Sequence, residues 1–314
     1  MEGNVTLAME ALAASGVLVP SEQRAALGRS LLVKQQEARL SALAFWGRIL
    51  TSTGHDYLLA RGCNSISPSS LHFDTHYYYR QDGVKWMDLQ ALTDDTYEAC
   101  KSIRGCFTGE PSHIYSVKLA APSQNEQDVN AVGEEMAGAK SQQERQMDAT
   151  KEEAGQEDVE IRQDDEQDAE ETKDDDHSEM GASKLGPGFR TLEIGELDRV
   201  SALMRQVDYD CGVVPKGAYI YNSKKELVKN VHFPGVKFLQ NLDSFVHLFQ
   251  KYEDTPLSDD VRGSWSFEHI PFEGVVLRSL WWPGYVFYYT TQTKDFGSLY
   301  FGMGEKNVDL PFMI

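Results

Sequence analysis

The 314-residue chain is poor in cysteine, and none of Cys63, Cys100, Cys106 and Cys211 forms a Cys-x-x-Cys pair. That spacing excludes zinc ribbons and thioredoxin-like redox motifs, and leaves buried or idle thiols as the plain reading. Basic runs are also missing. The densest stretch, Tyr221–Lys229, holds Lys224, Lys225 and Lys229 beside a glutamate. That is a solvated face, not the concentrated cationic surface that phosphate binding requires, so nucleic acid is excluded as a general partner. No window approaches the ~20 apolar residues of a membrane span. The short apolar Ala11–Pro20 is preceded by Glu2 and Glu10, where a signal peptide carries basic residues, and the C-terminal Asp309–Ile314 is no lipidation or retention signal. A soluble, intracellular protein is expected.

A further absence divides the chain. No Phe, Tyr or Trp occurs from Ser116 to Gly188. Within that gap, Ala121–Met180 carries 21 acidic residues against 5 Lys or Arg, which is −16 of the total −19. A segment so charged and without large apolar anchors cannot bury enough surface to offset its ordering entropy, and reads as disordered. The expected organisation is therefore an N-terminal lobe over 1–119, an acidic insert over 120–187 and a C-terminal lobe over 188–314.

Hydropathy patterns in the two lobes point to an α+β fold. Leu7, Met9, Leu12 and Val17 read as helical. A second helix follows Pro20, with Ser21 as its N-cap and Ala25, Leu27, Leu31 and Leu32 near a 3.6 period. Phe45–Leu50 and His55–Ala60 flank Thr51-Ser52-Thr53-Gly54 as a β-hairpin would. His72–Arg80 reads as a strand turned by Asp82-Gly83, Asp94–Lys101 as a short helix, and His113–Leu119 as a strand. After the insert, Glu193, Glu196 and Asp198 open a candidate helix carrying Val200, Leu203, Met204 and Val207, acids near an N-terminus suiting the macrodipole. Val213–Tyr219 reads as a turn into a strand. Phe238–Tyr252 reads as a helix through Leu239, Leu242, Phe245, Val246 and Phe249. Ser264–His269, Val275–Trp281, Tyr285–Thr290 and Gly297–Met303 read as an antiparallel meander, with a type II turn at Trp282-Pro283-Gly284.

Catalytic chemistry leaves little trace. Gly297–Gly302 has the gap of a phosphate loop, but Met303 stands where Lys is required. His72 and His76 are four apart without nearby third and fourth ligands, and Asp174-x-Asp176-x-Ser178 lacks the Gly and Glu of a calcium loop. There is no Gly-x-Ser-x-Gly elbow. No catalytic, cofactor or metal residue is nominated. What stands out is aromatic density near the C-terminus. In an extended strand Tyr285, Phe287 and Tyr289 share one face and Val286 and Tyr288 the other, so both faces need cover. Core packing and a protein interface both satisfy that need, and Trp281, Trp282, Tyr285, Phe287 and Tyr289 are the candidate interface residues, Trp and Tyr being favoured anchors.

Several strings resemble the radial spoke head family of the ciliary axoneme: Val276–Gly284, Gly302–Ile314, Phe45–Leu50, Gly109–Ser112, Val214–Ala218 and Gly263–Ser266. Their order and rough spacing match across both lobes. Two departures stand out: the acidic tract is longer than the family's compact middle, and Trp281 replaces an expected aliphatic residue. The resemblance implies a non-catalytic architectural subunit of the axonemal spoke head. It implies as partners other radial spoke head proteins, especially the larger related proteins 4 and 6, with transient contact to the central pair apparatus. It brings no cofactor, and implies a role between the central pair and dynein regulation in ciliary motility.

Overall fold

The computed structural model describes residues 19–63, 75–81, 84–120, 189–221, 223, 227–248, 255–270 and 274–313. The described parts of Met1–Leu119 and Thr191–Ile314 form one compact unit, and Ala120–Arg190 is a second unit described only at its strand ends. The expected helix over Leu7–Val17, the acidic insert, the Asp82-Gly83 turn, His72, Lys224 and Lys225 lie outside the described residues.

The scaffold is an eight-stranded mixed sheet. Four strands come from the last fifty residues: β11 (Trp265–Ile270), β12 (Gly274–Ser279), β13 (Tyr285–Thr290) and β14 (Phe296–Gly302). Four come from the N-terminal lobe: β1 (Ala42–Ile49), β2 (Tyr57–Cys63), β3 (Thr75–Arg80) and β4 (Met87–Asp88). Their spatial order is β11-β12-β13-β14-β1-β2-β3-β4. The C-terminal meander and the β1–β2 hairpin are antiparallel, as their turn chemistry requires. One seam that the sequence reading did not address is parallel: β1 joins β14 with Gly47 opposite Tyr300. That seam unites the two lobes in one sheet. Gly47 makes it possible: its φ is +154°, and a Cβ there would sit 2.0 Å from the Tyr300 carbonyl oxygen. The β1–β2 register also shifts between Phe45 and Gly47, leaving Trp46 as the extra residue of a bulge.

Both faces of the sheet are covered within the chain. On one face, α3 (Glu196–Cys211) lays Val200, Leu203, Met204 and Val207 against Trp46, Tyr57, Tyr285, Phe287 and Tyr289. The ribbon of β7 (Val213–Pro215) and β10 (Phe245–His247) extends this cover, and the short antiparallel pair β8 (Tyr219–Tyr221) and β9 (Leu227–Lys229) lies between them in the chain. On the other face, α1 (Ser21–Glu37) buries Leu27 and Leu31 in the cluster that holds Phe45, Leu58, Tyr78, Val286 and Tyr288. Alternate residues of β13 thus enter two separate cores. A third cluster joins Ala99 and Cys100 of α2 (Asp94–Lys101) to Ile194 and Ala202.

Three local expectations are corrected. Ser21 is the first helical residue of α1, and Pro20 occupies the cap without a side-chain hydrogen bond. Glu193 lies in β6 (Phe189–Gly195), which pairs with β5 (Ile114–Ala120), so α3 begins only at Glu196, with the Gly195 N–H donating to Asp198 Oδ2 at 3.2 Å. The stretch read as a helix from Phe238 is instead a 3-10 turn at Leu242–Ser244 running into β10, with Asn241 capping the turn. Phe245 and Val246 form no helix because their backbone groups pair with Pro215 and Val214.

Candidate interaction surface

The five aromatic residues singled out from the sequence have unequal access to a partner. Tyr285, Phe287 and Tyr289 are buried beneath α3 and the β7–β10 ribbon, and Trp282 is buried beside them. Trp281 alone is partly buried, on the margin of the core. Trp282-Pro283-Gly284-Tyr285 turns tightly, Tyr285 N–H donating to the Trp282 carbonyl at 2.9 Å with Gly284 at φ +100°. The turn places the two indoles differently. Trp282 Nε1–H donates to Asp210 Oδ2 at 2.9 Å inside the protein. Trp281 presents its ring to Lys306, whose ammonium lies 5.2 Å from the ring centroid.

Lys306 is the hub of this corner. Its Nζ donates to Asp210 Oδ2 at 2.8 Å while its charge faces both Trp281 and Trp282. Asn307 N–H donates to the Trp281 carbonyl at 2.8 Å, and Leu310 is buried in the short turn Leu310–Phe312. Three anchors therefore clamp the C-terminal segment, which shows solvent large apolar side chains beside the exposed acids Glu305 and Asp309. Phe312 is 89% exposed and Met313 69%, with Met303, Val308 and Leu280 also exposed. Asn307 reaches Met313 Sδ at 3.9 Å, which ties Met313 to the Trp281 side of the corner. A rim of Trp, Phe, Met and Leu around the paired Lys306, edged by the exposed Glu305 and Asp309, has the apolar centre and polar margin of a protein-binding surface. Phe312, Met313, Met303, Val308 and Leu280 were missed by sequence reasoning. Their signal was an apolar string interleaved with Gly, Asn and Asp, which no regular element can bury on one face.

Elsewhere, ionisable groups are consumed structurally. Glu196 is fully buried, and accepts from Gly109 N–H at 2.8 Å, Thr108 Oγ1 at 2.9 Å and Tyr115 OH at 2.6 Å. His247 and Trp265 both approach Asp260 Oδ2, at 2.9 and 2.6 Å. Burial pushes the Cys100 thiol up to about 11 and drives that of Cys211 well above the ordinary range, so both are poor nucleophiles at neutral pH. A groove of about 660 Å³ between β3, α2 and α3 is lined by Tyr77, Leu89, Tyr97, Arg205, Asp208 and Tyr209. Its cations are committed: Lys101 and Arg205 stack on Tyr97 at 4.3 and 4.4 Å and pair with Glu98 and Asp94. Among the described residues no group of three metal-ligating side chains converges, and none of their helices is long and apolar enough to cross a membrane.

Similarity to known proteins shows the family of the chain. A radial spoke head protein 9 homolog of Xenopus tropicalis is 30% identical over 99% of this chain and 98% of its own length. The chain belongs to the radial spoke head protein 9 family. Homologs of that name from Danio rerio and Homo sapiens are 28% and 27% identical, covering 97% and 99% of their own lengths. No protein-family profile matches the sequence.

Proposed function

We propose that this chain is a non-catalytic structural component of the radial spoke head, held in the axoneme of cilia or flagella. In this reading it assembles with other radial spoke head proteins, the larger related proteins 4 and 6 foremost, and meets the central pair apparatus transiently. It thereby links the central pair to dynein regulation and supports motility. No nucleic acid or membrane partner is involved, and no cofactor.

The observation that carries the reading is full-length similarity to a spoke head family combined with the clamped apolar rim at the C-terminus. Of the five aromatic candidates, Trp281 remains the interface residue, now joined by Phe312 and Met313. Tyr285, Phe287 and Tyr289 serve by holding the sheet that carries them.

The test is a pull-down of the tagged full chain from ciliated cells, washed at salt high enough to screen the acidic tract, with proteins quantified by mass spectrometry. Stoichiometric radial spoke head proteins are expected. Recovery of the chain alone would overturn the proposal. A second reading, an adaptor that grips a basic partner through its acidic tract, draws on the −16 charge of Ala121–Met180. It predicts that the same salt wash strips the partner away.

A further inference from the structure

The two edges of the large sheet are treated oppositely. At one end β4 is two residues long and offers almost nothing to pair with. At the other, β11 runs for six residues in unbroken register with β12, from Trp265 opposite Ser279 to Ile270 opposite Gly274. Exposed edges are usually blunted by lysine, proline, a bulge or brevity. Trp-Ser-Phe-Glu-His-Ile, the sequence of β11, has no lysine, proline or bulge, and its one acid, Glu268, is already paired with Arg278.

Backbone parity shows which groups face outward. Leu280 N–H donates to the Ser264 carbonyl at 2.8 Å, so Ser264 and its alternates Ser266, Glu268 and Ile270 direct their peptide groups toward β12. Trp265, Phe267 and His269 direct theirs away from the sheet. None of these outward groups has a backbone partner among the described residues. Most side chains at this edge are accessible: Ser266, Glu268 and His269 are exposed and Phe267 is half-buried, while Trp265 is buried at the start of the strand.

We infer that β11 is a self-pairing edge, taking as its partner the β11 of a second copy of this chain, antiparallel about a two-fold axis at Phe267. The choice of a second copy rests on complementarity. Pairing Phe267 with Phe267 sets Trp265 opposite His269 and Ser266 opposite Glu268. Three outward residues on each strand then exchange six main-chain hydrogen bonds. On one face the neighbours are aromatic against aromatic and indole against imidazole, which are favourable cross-strand pairs. On the other, each Glu268 meets a neutral serine, and its charge is already matched by Arg278 at 2.6 Å in its own chain. No like charges stand directly opposite one another. The result is a continuous sheet across two copies with isologous symmetry. This edge lies on a different strand from the C-terminal rim, so self-pairing and partner binding through Trp281, Phe312 and Met313 use different residues.

Size-exclusion chromatography with light scattering on the full purified chain tests the inference. Dimerisation predicts a mass of twice 35.3 kDa at high concentration, falling on dilution. His269→Pro removes one outward N–H and leaves the inward bonds intact, so it should abolish the dimer without changing the far-ultraviolet circular dichroism. Ser266→Glu places like charges opposite each other twice per dimer and should weaken association about tenfold. Adding Glu268→Lys to Ser266→Glu should restore association, because the register sets 266 of one copy against 268 of the other. A single-chain mass up to the solubility limit would overturn the inference. So would a dimer indifferent to both His269→Pro and Ser266→Glu, or a double variant no stronger than Ser266→Glu.

Discussion

Trp46 and Asp208 stand 162 positions apart and meet at 2.8 Å, the indole Nε1–H donating to carboxylate Oδ1. The same carboxylate accepts from Tyr77 OH at 3.1 Å and pairs with Arg61 at 2.7 Å. Trp46, Arg61 and Tyr77 come from β1, β2 and β3, and Asp208 from the last turns of α3, so one buried acid ties the helix of the second lobe to three strands of the first. Asp208→Ala removes the carboxylate that pairs with the buried Arg61 guanidinium at 2.7 Å, and should cost about 3–5 kcal/mol in urea unfolding. Arg61→Leu should cost a similar amount, and the double variant much less than the sum.

Gly47 and Gly28 predict opposite signs for one chemical change. A Cβ at Gly47 collides with the Tyr300 carbonyl at 2.0 Å, whereas at Gly28, in α1, nothing lies within 4 Å. Gly47→Ala should destabilise by about 3 kcal/mol through strain and overpacking at the parallel seam. Gly28→Ala should stabilise by about 0.5–1 kcal/mol through helix propensity. Paired thermal denaturation of the two variants checks both.

Thiol chemistry gives a third outcome. Burial raises the folded-state pKa of Cys100 from the ordinary thiol value of 9.0 to about 11. A neutral buried acid of this kind adds stability in full below pH 9. That contribution falls as pH rises from 9 to 11, because the unfolded chain loses the proton first. The buried tyrosines Tyr285, Tyr288 and Tyr300 are shifted upward for the same reason and steepen the decline. Chemical denaturation at pH 8 and pH 10.5 should show the loss. At neutral pH a thiol reagent should label exposed Cys106 at once, and Cys100 and Cys211 only on unfolding.

Core and interface roles among the aromatic residues separate by mutation. Phe312→Ala and Met313→Ala remove side chains that are 89% and 69% exposed, so stability should change by less than about 0.5 kcal/mol. Under the proposed function both variants, with Trp281→Ala, should lower recovery of partner subunits. Phe287→Ala opens a cavity under α3 and should cost about 3–5 kcal/mol. Deleting 121–186 should leave partner recovery intact, and its loss would favour the acidic adaptor.

Much of this fold was legible locally. The Thr51–Gly54 turn between two apolar runs, the short helix at Asp94, and the four strands of the meander all lie where pattern and turn residues place them. Non-local pairing was not legible. Nothing in Phe45–Leu50 announces that Gly47 lies beside Tyr300 in parallel, because that register is set by packing 253 positions downstream. Helical spacing at Leu239, Leu242, Phe245 and Val246 misled because the β7–β10 ribbon claims the last two for a strand. For the interface, the sequence announced aromatic excess but not its direction. Alternation along Tyr285–Tyr289 reads the same whether the far face meets α1 or another protein, and only the fold shows α1 there.

The most direct measurement is electron tomography of axonemes from a ciliated cell from which this chain has been removed and then restored. Spoke head density should be lost on removal, return with the full chain, and fail to return fully with the triple variant Trp281→Ala, Phe312→Ala, Met313→Ala. Intact spoke heads in cells without the chain would contradict its assignment as a structural component of that head.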